Sequence, residues 1–170
     1  MKKFLATILA AAMAFSSMAM AASPSDFTDI PDNWAKEGIE HAISNGLLNG
    51  SNGKINPDSN LTRAEMAAIV NRAVKAIKAA DVSSYTDVAS DKWYYSDMGK
   101  ALQMGTLKGS GNSMRPEDPI TREETLAVLS RVIKLSPATQ SALSAFSDAN
   151  QVSAWAVPEV GAMVQAGYAQ

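Results

Sequence analysis

Two arginines stand at the same place in a repeated tetrapeptide and have the chemistry to bind an anion. Arg63 lies in Thr-Arg-Ala-Glu at 62–65, and Arg122 lies in Thr-Arg-Glu-Glu at 121–124. A Thr followed three residues later by Glu is a capping box that begins a helix, so each arginine falls in a first helical turn. Free N–H groups and the positive end of the helix dipole favour an anion there. A planar guanidinium can hold a carboxylate with two hydrogen bonds, so the pattern predicts a carboxylate site at each box.

The other role open to these arginines is structural. Each could pair with an acid of the preceding loop, Asp58 in the first copy and Glu117 in the second, and act as a strut. A cation is slightly disfavoured at a helix N-terminus, so the presence of arginine in both copies favours a use beyond helix formation. The chemistry of the residues alone leaves strut and ligand site equally open.

Composition excludes several other kinds of site. The chain has no cysteine and one histidine, His41, so it lacks the residues for a disulfide scaffold, a Cys-ligated zinc site or a multi-His metal site. Nothing in the sequence places a nucleophile beside His41, and the loop 49–65 lacks most oxygen ligands of a calcium-binding EF-hand. We therefore expect a protein that is not an enzyme and uses no metal and no cofactor.

The net charge of −2 also limits the partners. It gives no general attraction to nucleic acid or to anionic lipid, so no nucleic-acid partner is expected. An anionic ligand would have to be recognised by local groups.

The N-terminal segment has the form of a secretory signal peptide. Lys2 and Lys3 are followed by an apolar or small stretch, and Ala-Met-Ala at 19–21 is a small-x-small cleavage pattern. Cleavage after Ala21 would remove two of the 15 basic residues and leave 13 against 17 acidic ones, a net charge of −4. No later stretch is long and apolar enough to cross a bilayer, so export without membrane insertion is expected.

Three tryptophans mark an internal repeat. Trp34, Trp93 and Trp155 each precede a glycine by twelve residues, and aligning 34–72 with 93–131 without a gap gives 12 identities in 39 positions. Chance would give roughly three, so the repeat is genuine.

Each repeat unit is predicted to form a helix, a loop and a second helix. The first helix is predicted from about Trp34 to Asn45, with a left-handed glycine cap at Gly46 that recurs at Gly105 and Gly167. The second helix begins at the Thr-Arg box, and its predicted apolar face contains Met66, Ile69, Val70, Ala73, Val74 and Ile77. The fold class is therefore mainly all-α.

One such unit is too small to bury its apolar stripe, so neighbouring units must pack together. The expected organisation is a signal peptide at 1–21, repeats at 26–80 and 85–136, a linker at 137–145, and a partial third repeat at 146–170. We expect tandem helix-loop-helix repeats in a three-unit pseudo-trimer whose third unit is incomplete. Self-association through that third repeat is a further expectation.

The Phe/Tyr-x-Asp opening, the tryptophan-led helix, the glycine cap and the Thr-Arg-x-Glu box together resemble the S-layer homology family. The resemblance covers about 26–170. It implies a three-pronged pseudo-trimer with grooves between repeats, and non-covalent attachment of secreted proteins to bacterial cell walls. Many members bind secondary cell-wall polymers that often carry pyruvylated N-acetylmannosamine. The arginine of the box is the residue most often tied to that binding, a role that falls here on Arg63 and Arg122.

Four further residues are candidates for glycan binding. Trp34 and Trp93 could stack on a sugar face, although their place at the start of an amphipathic helix favours a packing role. Gly46 and Gly105 are first of all helix caps, and as glycines they would also let a ligand approach the backbone.

The predicted function is non-covalent anchoring of a secreted surface protein to the bacterial cell wall. The expected partner is an acidic cell-wall polysaccharide or modified peptidoglycan. The expected location is the cell surface, or the periplasmic face of the outer envelope in a diderm. The alternative is a structural module that assembles a surface lattice without recognising glycan.

Overall fold

Residues 22–169 form five α-helices joined by loops. The computed structural model describes residues 22–169, where the helices are α1 (Lys36–Ser44), α2 (Arg63–Ala73), α3 (Tyr95–Met104), α4 (Arg122–Val132) and α5 (Val157–Gln165). Short 3-10 helices occupy Pro24–Asp26, Gln140–Leu143 and Ala149–Gln151. This range contains no strand, only three isolated bridge pairs. The prediction of a mainly helical protein is confirmed, and the expected signal peptide at 1–21 lies outside the described residues.

Both second helices begin as predicted. The Thr62 amide donates to the Glu65 carboxylate at 2.8 Å, and the Glu65 amide donates to the Thr62 hydroxyl at 3.2 Å. Thr121 and Glu124 form the same pair of hydrogen bonds at 3.0 and 3.2 Å. Each capping box thereby satisfies two amides that a helix start would leave unpaired.

Helix α2 ends earlier than its apolar pattern predicts. Lys75 and Lys134 adopt left-handed backbone, with φ of 53° and 57°. The Lys75 and Ala76 amides donate back to carbonyls of the last helical turn, which is the hydrogen-bond pattern of a Schellman cap. The chain therefore turns away after Ala73, and Ile77 is 87% exposed. Extension of the apolar face of α2 through Val74 to Ile77 was a wrong prediction.

The first helices end at the predicted glycines. Gly46, Gly105 and Gly167 have φ of 68°, 67° and 76°. The left-handed caps are thus confirmed in all three units, and α1 begins two residues after Trp34.

The main core lies between the repeats. α2 packs against α3 of the next repeat, and α4 packs against α5. Buried side chains of α2, such as Met66 and Val70, share one cluster with Met98 and Ala101 of α3. A smaller cluster around Leu143 and Val160 lies beneath α5. The apolar faces of α2 and α4 are thus covered by the following unit, as the size argument requires.

Within residues 22–169, no helix combines the length and apolar character needed to span a bilayer.

Candidate functional site

Two grooves lie at equivalent places in the repeat. The first groove, of about 550 Å³, is lined by residues that include Gly50, Ser51, Glu65, Arg72 and Trp93. The second, of about 580 Å³, is lined by residues that include Gly109, Ser110, Glu124, Arg131 and Trp155. Each set contains a loop glycine and serine, the Glu of the Thr-Arg box, an arginine of the second helix and the next repeat's tryptophan. This agreement indicates that repetition of the sequence has produced repetition of a concave surface large enough for a small ligand.

Arg63 is buried and fully engaged with the second repeat. Its Nη1 donates to Glu124 at 2.7 Å, its Nε to the Met114 carbonyl at 2.9 Å, and its Nη2 to the Lys108 carbonyl at 3.1 Å. The residue is only 4% exposed. Burial lowers the pKa of Arg63 and the Glu124 carboxylate opposes that shift, while a guanidinium stays charged at neutral pH. Arg63 lines the second groove, but its hydrogen bonds lead into the protein.

The amides at the start of α2 are engaged as well. The Arg63 amide donates to the Asp118 carbonyl at 3.0 Å, and the Ala64 amide donates to the Pro116 carbonyl at 2.9 Å. The loop of the second repeat therefore occupies the place where a free helix N-terminus would receive an anion. The prediction of free N–H groups here is wrong, because it considered α2 without its neighbour.

Arg122 has different surroundings, although it occupies the same position in its repeat. It is exposed and makes no ion pair with another described residue. It lies beside a third groove of about 490 Å³, whose lining is largely apolar and includes Leu126, Leu143 and Phe146.

Glu124 is the centre of the ionic cluster. Its carboxylate accepts from Arg63, Arg115 and the Thr121 amide. Burial alone would raise the pKa of Glu124, but the Thr121 amide and the two guanidiniums outweigh burial and lower it. Neither acid proposed above as a strut partner is used by Arg63; the partner is the Glu of the next repeat's box, 61 residues away.

Asp29 and Asp87 tie the start of each unit to its own loop. Asp87 accepts from the amides of Met114 and Arg115 and from the Ser113 hydroxyl. Burial alone would raise the pKa of Asp87, but these hydrogen-bond donors outweigh burial, so the pKa is lowered. Asp29 accepts from the equivalent loop amides at 2.8 Å, which lowers its pKa too. Both act as turn-fixing residues.

The tryptophans are exposed, which contradicts the packing role that we expected for them. Trp93 and Trp155 are 61% and 50% exposed and each lines a groove, whereas Trp34 is 94% exposed and lines none of the three. Trp93 rests edge-on against Tyr94, with ring centroids 5.4 Å apart. The first and second grooves thus each have an exposed indole at one wall, available to a ligand.

The glycines in the grooves are not the helix caps. Gly46 and Gly105 lie at the ends of α1 and α3, while Gly50 and Gly109 line the grooves. A Cβ on Gly109 would lie 2.6 Å from Cε1 of Tyr85 and 2.8 Å from the Ser113 carbonyl oxygen. The loop can therefore pass beneath the aromatic ring only with glycine at this position.

Arg72 and Arg131 are the groove cations that the sequence reasoning missed. Arg72 donates to the Leu47 carbonyl at 2.9 Å, and Arg131 contacts the equivalent Thr106 carbonyl at 3.4 Å. Arg131 is also paired with Glu159. These arginines are the last identity in the gap-free repeat alignment, and that identity is the signal that could have identified them. Among the residues described, no cluster of three or more acidic or His side chains could hold a metal ion.

Comparison with known proteins agrees with the repeat. The sequence model of the S-layer homology domain matches residues 26–67 and 84–126. The chain is 32% identical, over 91% of its length, to the surface-layer 125 kDa protein of Lysinibacillus sphaericus, of which it covers 13%. It is 32% identical, over 88% of its length, to an amylopullulanase of Thermoanaerobacterium thermosulfurigenes, of which it covers 8%. It is 28% identical, over 79% of its length, to the S-layer protein sap of Bacillus anthracis, of which it covers 17%. The chain belongs to the S-layer homology family.

Proposed function

We propose that this chain binds an acidic cell-wall glycan in the grooves between its repeats and so anchors a secreted surface protein non-covalently. The observation that carries the proposal is the pair of equivalent grooves. Each has an exposed indole at one wall and an arginine of the second helix at another.

The side chains in the grooves suit a charged sugar. Trp93 and Trp155 offer flat apolar faces against which a pyranose ring can lie. Arg72 offers a planar guanidinium that can pair with a carboxylate, and Arg131 brings the same group to the second groove, where it is paired with Glu159. Because the whole chain is slightly acidic, with a net charge of −2, attraction of an anion depends on such local cations.

The arginines of the Thr-Arg boxes have distinct parts in this proposal. Arg63 holds the loop of the second repeat in place and forms part of the second groove, with all three of its guanidinium nitrogens donating within the protein. Arg122 remains a candidate for direct carboxylate contact at the third groove, because its side chain is exposed. The glycan-facing glycines are Gly50 and Gly109, with Gly46 and Gly105 acting as helix caps.

The relatives support an anchoring role. This stretch is shared by surface-layer proteins and by an amylopullulanase, and it covers between 8% and 17% of each. A segment carried by proteins of such different names fits a module that localises them, with their individual activities in other parts of those chains.

Cosedimentation with purified cell walls tests the proposal. Walls of Lysinibacillus sphaericus, stripped of protein and retaining their secondary polymer, should pellet the wild-type chain. The Trp93→Ala/Trp155→Ala variant should lose at least tenfold in affinity, because it removes the stacking face of both grooves. The nearest comparison is a nucleobase stacked on an aromatic side chain, a contact worth about 1–3 kcal/mol. Acid extraction of the polymer from the walls should abolish binding by the wild-type chain.

Trp34→Ala is the matched control, because Trp34 is an exposed tryptophan outside the grooves. The proposal expects this variant to bind like the wild-type chain. An equal loss in both variants would refute groove binding. Ordered assembly of the chain without walls, combined with no wall binding, would favour the lattice alternative.

A further inference from the structure

The first and second grooves occupy equivalent places in the repeat, but their second-helix arginines, Arg72 and Arg131, differ in whether they form an ion pair. In the second groove, Arg131 donates through Nε to Oε1 of Glu159 at 2.8 Å, and its Nη2 lies 2.7 Å from the same oxygen. Both side chains are largely buried, at 17% and 19% exposed. The Nε and Nη2 groups of Arg131, which could bind a ligand's carboxylate, are therefore already bound to the carboxylate of Glu159.

The first groove has no such internal partner for Arg72. This side chain donates to the Leu47 carbonyl, is exposed, and forms no ion pair within the described part of the chain. The counterpart of Glu159 is Asp97, which likewise follows its tryptophan by four residues. Asp97 is one methylene shorter and is held by Asn71 at 2.8 Å, so it leaves Arg72 unpaired.

The remaining cations of the second groove reinforce the difference. Arg63 and Arg115 are both paired with Glu124. Lys108 is exposed, but its ammonium is a point charge that cannot match a carboxylate with the two-pronged geometry of a guanidinium. In the first groove, Asn56 replaces Arg115, and Glu65 is bound by Thr62.

We infer that Glu159 occupies, in the second groove, the position that a ligand carboxylate takes on Arg72 in the first. The first groove is then the acid-binding groove, and the second is neutralised from within. A tethered carboxylate competes at a high effective concentration, so a free ligand displaces Glu159 only with difficulty. This inference rests on the proposed function and specifies which of its two grooves recognises the acid.

Calorimetric titration tests this assignment with a defined probe, the methyl glycoside of 4,6-O-pyruvylated N-acetylmannosamine. The same glycoside without pyruvate is the control ligand. All titrations use an Arg122→Ala background, which removes the candidate at the third groove. This chain should bind about one equivalent of the acid, and adding Arg72→Ala should weaken that binding at least tenfold. Glu159→Ala should gain a second equivalent, and adding Arg131→Ala to that variant should return the stoichiometry to one.

The outcomes separate this inference from the proposed function. Wild type that binds no walls, together with an Arg122→Ala chain that binds no acidic probe, overturns the proposed function. Wild type that binds walls, together with an Arg122→Ala chain that prefers neither glycoside, overturns the carboxylate assignment alone. Unchanged stoichiometry in a folded Glu159→Ala variant also overturns it, as does full binding by Arg72→Ala. Circular dichroism on every variant identifies any that fails to fold, and Glu159→Gln, which keeps the shape and removes the charge, then replaces Glu159→Ala.

Discussion

Arg63 and Arg122 allow a matched test, because the same residue of the same motif is buried in one repeat and exposed in the other. Replacing Arg63 by alanine removes three donors and leaves two carbonyls and one carboxylate of the second repeat without them. Removing one partner of a buried ion pair costs about 3–5 kcal/mol. Glu124 keeps Arg115 and the Thr121 amide, so we expect the lower end of that range, about 3 kcal/mol.

Arg122→Ala should change the free energy of unfolding by no more than about 0.5 kcal/mol, as exposed substitutions usually do. Arg63→Lys should recover only part of the loss, since an ammonium cannot reach all three acceptors from one position.

Urea unfolding followed by far-UV circular dichroism measures the difference. With a slope of about 2 kcal/mol/M, a loss of 3 kcal/mol lowers the unfolding midpoint by roughly 1.5 M. Coincident midpoints for Arg63→Ala and Arg122→Ala would refute the assignment of Arg63 as the residue that joins the repeats.

Two more predictions concern the pH dependence of stability through Glu124 and the substitution of the loop glycine Gly109. Because the pKa of Glu124 is lowered in the folded state, its contribution is fully present above the ordinary glutamate pKa of about 4.3 and is lost as the pH falls through the lower folded value. Urea midpoints should therefore fall more steeply below pH 5 in wild type than in Glu124→Gln, and parallel profiles would contradict the shift. Gly109→Ala should destabilise by about 1–3 kcal/mol, because the new Cβ meets Tyr85 and a backbone carbonyl. Gly38→Ala is the control, because a Cβ at Gly38 would have no neighbouring side chain or loop atom within 4 Å. This substitution should stabilise α1 by about 0.5–1 kcal/mol. Equal changes in the free energy of unfolding for the two variants would rule out the steric argument.

Local rules accounted for most helix boundaries. The capping boxes at Thr62 and Thr121 and the glycine caps depend on groups within a few residues, so spacing alone predicts them. The end of α2 was missed because a lysine, Lys75, adopts the left-handed conformation that glycine normally marks. A lysine gives no such signal in a sequence.

The site was harder to predict because its contacts cross between repeats. Arg63 pairs with a residue 61 positions away, and no local pattern encodes that partner. The exposure of Trp93 follows from the same cause: helical periodicity places it on the apolar stripe, but the neighbouring repeat covers the residues that follow it instead. Arg72 and Arg131 were visible as a repeated identity, but their meaning depended on the groove that they line.

Because α2 packs on α3 and α4 packs on α5, each packed helix pair joins two consecutive repeats and is offset by half a repeat from the sequence repeat. Each junction combines the second half of one repeat with the first half of the next. A groove therefore belongs to a junction rather than to a repeat, and a single repeat excised at its sequence boundaries would contain none. Unfolding of one repeat also removes the helix on which the preceding repeat packs, so the repeats should unfold cooperatively. Ligand binding should then be lost in the same transition as the fold.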